Sequence, residues 1–171
     1  EILPFDRSNY SVVTLKQLTE NRLLIGADKG LFIFDAIDFT FTQIDLKTLN
    51  QAKVNALEWD LNHQLWVATS EGLARIGFKQ DVPREVYLYN NDPEWSRFNA
   101  TWIECIIRDF NGNMWIGTRG AGVIRFDTQD QFTEYNNNKA FSNNLGDNIV
   151  NSFLLDTSGV LWIGTESKGA V

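Results

Sequence analysis

The chain has one cysteine and one histidine among its 171 residues. Cys105 alone cannot close an internal disulfide, and together with His63 it falls short of a zinc-type ligand set. No metal or cofactor is therefore expected, and any histidine-based triad would have to use His63. A basic surplus is also missing. Fifteen Lys and Arg stand against 22 Asp and Glu, a net charge of −7 with no basic run, which leaves nothing to hold a phosphate backbone or an anionic membrane surface. Nucleic acid is excluded as an expected partner. No segment approaches the roughly 18 apolar residues of a membrane span, and Glu1 to Asp6 form no basic leader. Either the protein is cytosolic or a targeting segment precedes residue 1. What the chain does have is a core-forming composition, 43% apolar with 6 Trp, 4 Tyr and 12 Phe, sized for one domain or a piece of a larger one.

Four segments repeat: Leu24-Ile25-Gly26-Ala27, Leu65-Trp66-Val67-Ala68-Thr69, Met114-Trp115-Ile116-Gly117-Thr118 and Leu161-Trp162-Ile163-Gly164-Thr165. With Leu24, Trp66, Trp115 and Trp162 as equivalents, the spacings are 42, 49 and 47 residues, in the range of repeat arrays. Six residues before the anchor stand Leu18, Asp60, Asp109 and Asp156; three before it, Asn21, His63, Gly112 and Gly159. Asn and Gly tolerate positive φ and Asp accepts backbone N–H bonds, so a tight hairpin is expected there in every repeat. Gly30, Gly72, Gly122 and Gly169 open the next strand. Upstream, Val12/Val54/Ile103/Val150, Thr14/Ala56/Cys105/Ser152 and Leu15/Leu57/Ile106/Phe153 align, and a fourth strand is readable at 39–44, 85–89 and 131–135.

Four short antiparallel strands per repeat make one propeller blade, so the fold expected is all-β, a β-propeller fragment of about three and a half blades. The blades run over about 12–46, 54–89, 103–135 and 150–171, the last truncated, with residues 1–10 as the tail of a preceding blade or a linker. Leu15, Leu18 and Leu23 also suit an amphipathic helix over 14–24, but the column match to three β-rich segments outweighs that local pattern. The Trp is expected to fill the space between sheets, and the Gly or Ala two residues later to let another backbone approach. Half-complete rings leave unpaired edges. The expected partners are thus neighbouring blades or a domain of the same protein, or a second copy in a homodimer that closes the ring.

Asp109-Phe110-Asn111-Gly112-Asn113-Met114-Trp115-Ile116-Gly117-Thr118, followed by Gly120-Ala121-Gly122-Val123-Ile124-Arg125-Phe126-Asp127, resembles the two-component regulator propeller repeat. Asp156-Thr157-Ser158-Gly159-Val160-Leu161-Trp162-Ile163-Gly164-Thr165 resembles it again, whereas the second repeat departs at His63 and Ala68, and the first lacks the Trp and the Asp. The resemblance implies the periplasmic sensor region of a bacterial hybrid two-component protein, anchored in the inner membrane, with its histidine kinase and response-regulator modules elsewhere in the chain. It further implies a non-catalytic domain that binds an oligosaccharide signal to regulate polysaccharide use. A polysaccharide-acting hydrolase or lyase, and a purely structural docking module, are the alternatives.

Individual residues read as follows. His63 takes a glycine column and is expected as an exposed turn residue. Cys105 lies in a small-residue column and is expected as a buried structural thiol. Asp109 to Asn113 has the first half of a calcium loop, but Gly120 stands where the bidentate Glu is required. Gly117 to Gly122 precedes a strand, not a helix, so it is no phosphate loop. Glu58, Glu104 and Glu134 show no spacing that marks a catalytic pair. The propeller face carrying the linkers 47–53, 90–101 and 137–147 and the turns at Lys29, Glu71, Arg119 and Lys168 is where a ligand is expected. Sugars are held by an aromatic face flanked by Asn, Arg and carboxylates, which makes Asn91, Trp95, Arg97, Trp102 and Arg119 candidate contacts; the alternative is that Trp95 and Phe98 pack the loop onto its own blade or a neighbouring domain. Asn55, Glu104 and Asn151 share a column at the start of the inner strand and are candidates for the channel mouth. On this reading Trp115→Ala opens an intersheet cavity at about 3–5 kcal/mol, whereas Trp95→Ala costs little stability.

Overall fold

The computed structural model describes residues 10–96, 102–137 and 145–170. It is a β-propeller assembly of four antiparallel sheets in chain order. The first comprises β1 (Val12–Gln17), β2 (Arg22–Ala27), β3 (Gly30–Asp35) and β4 (Thr40–Ile44), and the second β5 (Val54–Trp59), β6 (Gln64–Thr69), β7 (Gly72–Lys79) and β8 (Val82–Leu88). The third comprises β9 (Ile103–Arg108), β10 (Met114–Thr118), β11 (Val123–Phe126) and β12 (Phe132–Tyr135); the fourth has three strands, β13 (Val150–Leu155), β14 (Leu161–Thr165) and β15 (Gly169–Ala170). Each strand pairs with its sequence neighbour, and β1, β5, β9 and β13 pack side by side as the inner edge. The segment 12–17 is a strand, so the helical pattern over 14–24 loses to pairing with β2.

The hairpin chemistry is repeated. One oxygen of Asp60, Asp109 and Asp156 accepts the amides of the residues two and four positions on. The other accepts the indole N–H of Trp66, Trp115 and Trp162 at 2.9–3.0 Å. A single carboxylate thereby closes the turn and orients the tryptophan of the next strand. These bonds hold Asp156 at a pKa of about 2, with the Ser158 hydroxyl and the indole as the leading causes. His63, Gly112 and Gly159 have φ of 56°, 87° and 87°, the left-handed conformation the turn requires. The first repeat differs. Without the Asp, its turn closes through the Leu18 and Thr19 amides on the Arg22 carbonyl, and Asn21 keeps a negative φ.

Burial between sheets is what holds the blades together. Leu24, Leu31, Val54, Leu57, Leu65, Val67 and Ile76 form the layer between the first two sheets. Trp66, Leu73, Tyr89, Ile103, Ile116, Ile124 and Phe126 form the next, and Val123, Leu145 and Val150, with Trp115, Tyr135 and Phe153, the third. Trp66 is enclosed, stacked on Tyr89 at 5.2 Å and edge-on to Phe126 at 4.8 Å, while Trp162 on the fourth sheet is 47% exposed. Arg75 and Arg125 stand opposite Trp66 and Trp115 in register, each guanidinium lying over the partner ring at 5.4 and 5.7 Å.

The small residue two positions after the anchor serves a different purpose from the one expected. Side chains, not backbone, occupy the space it leaves. A Cβ at Gly26 would lie 2.6 Å from both Thr14 Cγ2 and Val54 Cγ1, and one at Gly117 would strike Cys105 Sγ and Val150 Cγ1. The notch seats the inner strand's small residue and the following blade's Val. The Thr that ends the motif is equally local: Thr69, Thr118 and Thr165 donate their hydroxyls to the carbonyls of Gly72, Gly122 and Gly169 across the next turn.

Candidate functional site

All four inner strands carry a β-bulge at one equivalent position. Pairing skips Val13, Asn55, Glu104 and Asn151, each the second residue of its strand. A bulge leaves one residue out of the ladder and re-aims its side chain, so the column seen in the sequence has a backbone cause. Immediately before it, the carbonyls of Ser11, Lys53, Trp102 and Ile149 accept the amides of Asp28, Ser70, Arg119 and Glu166 at 2.9–3.1 Å. This stitches each inner strand to its own β2–β3-type turn and brings bulges, turns and linkers to one face.

On the third blade this geometry gathers the expected residues. The Arg119 guanidinium lies 5.3 Å from the centroid of the Trp102 ring, whose Nε1 donates to Glu104 Oε2 at 2.7 Å. Glu166, from the turn of the fourth blade, is 3.8 Å from Arg119. The Arg119 turn is fixed further by an isolated bridge to Ile149 and by the amides of Gly120 and Gly122 on the Asn148 carbonyl. Asp147 accepts the amide and hydroxyl of Ser167 and the amide of Ile149, which together hold its pKa at about 2. Asn55 donates to the Ile103 carbonyl at 2.8 Å, tying the second blade's bulge to the third blade's inner strand, and its Oδ1 is buried with no hydrogen-bond partner among the described residues. Asn151 is exposed on the fourth blade.

The described part of the 90–101 linker, residues 90–96, follows the packing alternative. Trp95 sits on the short helix α1 (Pro93–Ser96), capped by Asp92, and is only 2% exposed. Its ring stacks on Phe126 at 5.7 Å and tilts against Tyr89 at 5.5 Å, so it belongs to the core between the second and third blades and has no face to offer a sugar. Asn91 is exposed at the end of a 3-10 turn, and its neighbour Asn90 makes the anchoring contacts, donating to the Glu71 carbonyl and accepting the Leu73 amide. Arg97 lies outside the described residues.

The remaining candidates have settled partners. Glu58 accepts Lys16 Nζ at 2.6 Å and Glu134 accepts the Asn136 amide at 2.6 Å. His63 is an exposed turn residue. Burial, with Glu104 adding to it, pushes the Cys105 thiol up to about 12. Among the described residues no three His, Cys, Asp or Glu side chains form a group able to hold a metal.

Residues 97–120 and 144–167 match the two-component regulator propeller model. The two matched stretches include β9 and β10 of the third blade and β13 and β14 of the fourth. Solved structures with the same fold include the extracellular domains of two hybrid two-component systems of B. thetaiotaomicron. One has a TM-score of 0.71 at 21% identity, covering 94% of this chain and 20% of its own; the other has 0.74 at 18%, covering 94% and 21%. Virginiamycin B lyase from Staphylococcus aureus is similar at a TM-score of 0.59 and 16% identity, covering 95% of this chain and 53% of the enzyme. The search of curated proteins returned no match. The chain thus spans about a fifth of the two hybrid-system structures, and these likenesses establish the fold.

The sequence missed the partnership between Trp102 and Arg119, which are 17 residues apart and meet only through the bulge register. It also missed Arg75 and Arg125, whose stacking on Trp66 and Trp115 was legible as an Arg three residues after the glycine that opens the third strand of the second and third repeats.

Proposed function

We propose that these repeats are part of the extracytoplasmic sensor of a hybrid two-component signalling protein. The sensor binds an oligosaccharide on the linker face without transforming it, and the signal regulates polysaccharide use. One observation carries the reading: on the face built from bulges, linkers and turns, Trp102, Glu104 and Arg119 form a braced aromatic and charged cluster, the mixture that holds sugar hydroxyls and ring faces. The repeat family and the two extracellular domains of similar fold support the same placement. The non-catalytic part is supported by the carboxylates: Glu58, Glu104 and Glu134 are bonded to Lys16, Trp102 and Asn136 respectively, not poised as an acid and a nucleophile. No helix among the described residues is long and apolar enough to cross a membrane.

A calorimetric screen of plant, host and microbial oligosaccharides against the full-length protein tests this, with each mixture followed by chromatography. Binding with the sugar recovered intact is the expected result. Shorter or unsaturated products would replace the sensor by a hydrolase or lyase.

A further inference from the structure

This inference rests on the sensor reading and concerns the chemistry of the signal. We propose that Arg119 on its Trp102 platform is a carboxylate receptor, so that the oligosaccharide recognised here is acidic and presents a uronic acid to the third blade.

Arg119 is braced without being occupied. Its guanidinium lies over the Trp102 ring, and that ring is held in turn by the Glu104 carboxylate at the bulge. Its backbone is pinned by the Trp102 carbonyl on one side and by the bridge to Ile149 on the other. A guanidinium carries five donors in a planar fork that fits a carboxylate bidentately. Among the described residues none of those donors is in a hydrogen bond. Glu166, at 3.8 Å, is too far for one, and the two side chains are 44% and 50% exposed. Two other arginines form closed pairs: Arg22 meets Asp35 at 2.7 Å and Arg75 meets Asp130 at 2.6 Å.

The approach is open as well. A Cβ built on Gly120, the next residue, would meet nothing within 4 Å. A cation already oriented, with its entropy largely spent by stacking, binds an anion more tightly than a free side chain does. Glu166 supplies the selectivity. A neutral sugar cannot displace it, whereas a uronate competes for the same fork and does so with better geometry. Because Arg119 belongs to the third blade and Glu166 to the fourth, the exchange swaps a contact between blades for a contact with ligand. That is a differential interaction between two states, which signalling requires.

The test titrates the full-length protein with oligogalacturonate and oligoglucuronate and with their carboxyl-reduced, neutral counterparts, at low and high salt, and includes a sulfated neutral oligosaccharide to separate carboxylate from sulfate recognition. The acids should bind at least tenfold more tightly than the reduced forms and weaken as salt rises. Arg119→Gln should remove that preference while the protein stays folded. Glu166→Gln should tighten the acids several-fold by removing the competitor. Equal binding of acid and reduced forms, preference for the sulfated sugar, or acid binding indifferent to both variants overturns the carboxylate receptor and leaves the oligosaccharide sensor standing. If no sugar in either set binds, both readings fall.

Discussion

The sequence offers Trp95 either as a ligand contact or as packing for its own loop, and it is found inside the molecule, so its removal discriminates sharply between the two placements. A buried tryptophan withdraws on the order of 200–250 Å² from water, worth roughly 5 kcal/mol at about 25 cal/mol per Å² as an upper bound. Ala keeps part of that contact and the site relaxes, which brings the expected loss to about 3–5 kcal/mol. Since Trp95 stacks on Phe126 and touches Tyr89, the loss should fall on the second and third blades. Hydrogen exchange followed by mass spectrometry reads this locally. In Trp95→Ala, amides of β6, β9 and β11 should exchange roughly two to four orders of magnitude faster, while those of β2 and β3 change little. Trp115→Ala, at a half-buried site, should cost less, and Trp162→Ala, 47% exposed, least of the three. Unchanged protection in Trp95→Ala would return Trp95 to the surface and refute the packing of the second blade on the third.

Other outcomes follow from single sites. Asp156 has its folded pKa depressed to about 2, so the stability it lends the fourth blade is present above the unfolded value near 3.9 and is lost as pH falls towards 2; NMR titration of its carboxyl with a midpoint near 4 would contradict the Ser158 and indole bonds. Cys105 should resist a thiol reagent at pH 8 in the folded protein and react on unfolding, because burial holds the thiol protonated. Gly122→Ala should destabilise more than Gly112→Ala. Both have positive φ, but a methyl at Gly122 strikes the Tyr135 carbonyl, which cannot move, whereas at Gly112 it meets the end of the exposed Leu61 side chain; equal melting points would remove that distinction. His63→Gly should leave ligand binding unchanged and stabilise by up to about 1 kcal/mol, since His63 adopts φ 56° in a glycine column.

What the sequence makes legible is what repeats. The Trp, Gly and Thr columns recur because each blade must fill the same gap, seat the same neighbour and close the same turn, so Trp66, Trp115 and Trp162 announce the sheets without any contact being known. Val13, Asn55, Glu104 and Asn151 align for the same reason, although the bulge that unites them is visible only in the pairing. Linkers do not repeat, and there the reading stays open between two placements. An aromatic amid polar residues suits a sugar platform and a packed helix equally, and Trp95 is settled only by Phe126 and Tyr89, one of them 31 residues away in the next blade. Trp102 and Arg119 were each chosen as candidates, but the brace between them depends on a register shift that no local pattern encodes.

The proposed function requires that the linker face around Trp102 bind a sugar and leave it intact. The most direct measurement titrates the binding oligosaccharide from the screen into the full-length protein and into Trp102→Ala side by side, then recovers the sugar by chromatography. The expected result is an unaltered sugar and binding weakened at least tenfold in the variant, which loses both the ring and the brace on Arg119. Binding undiminished in Trp102→Ala, or a cleaved sugar in the recovered fraction, would contradict it.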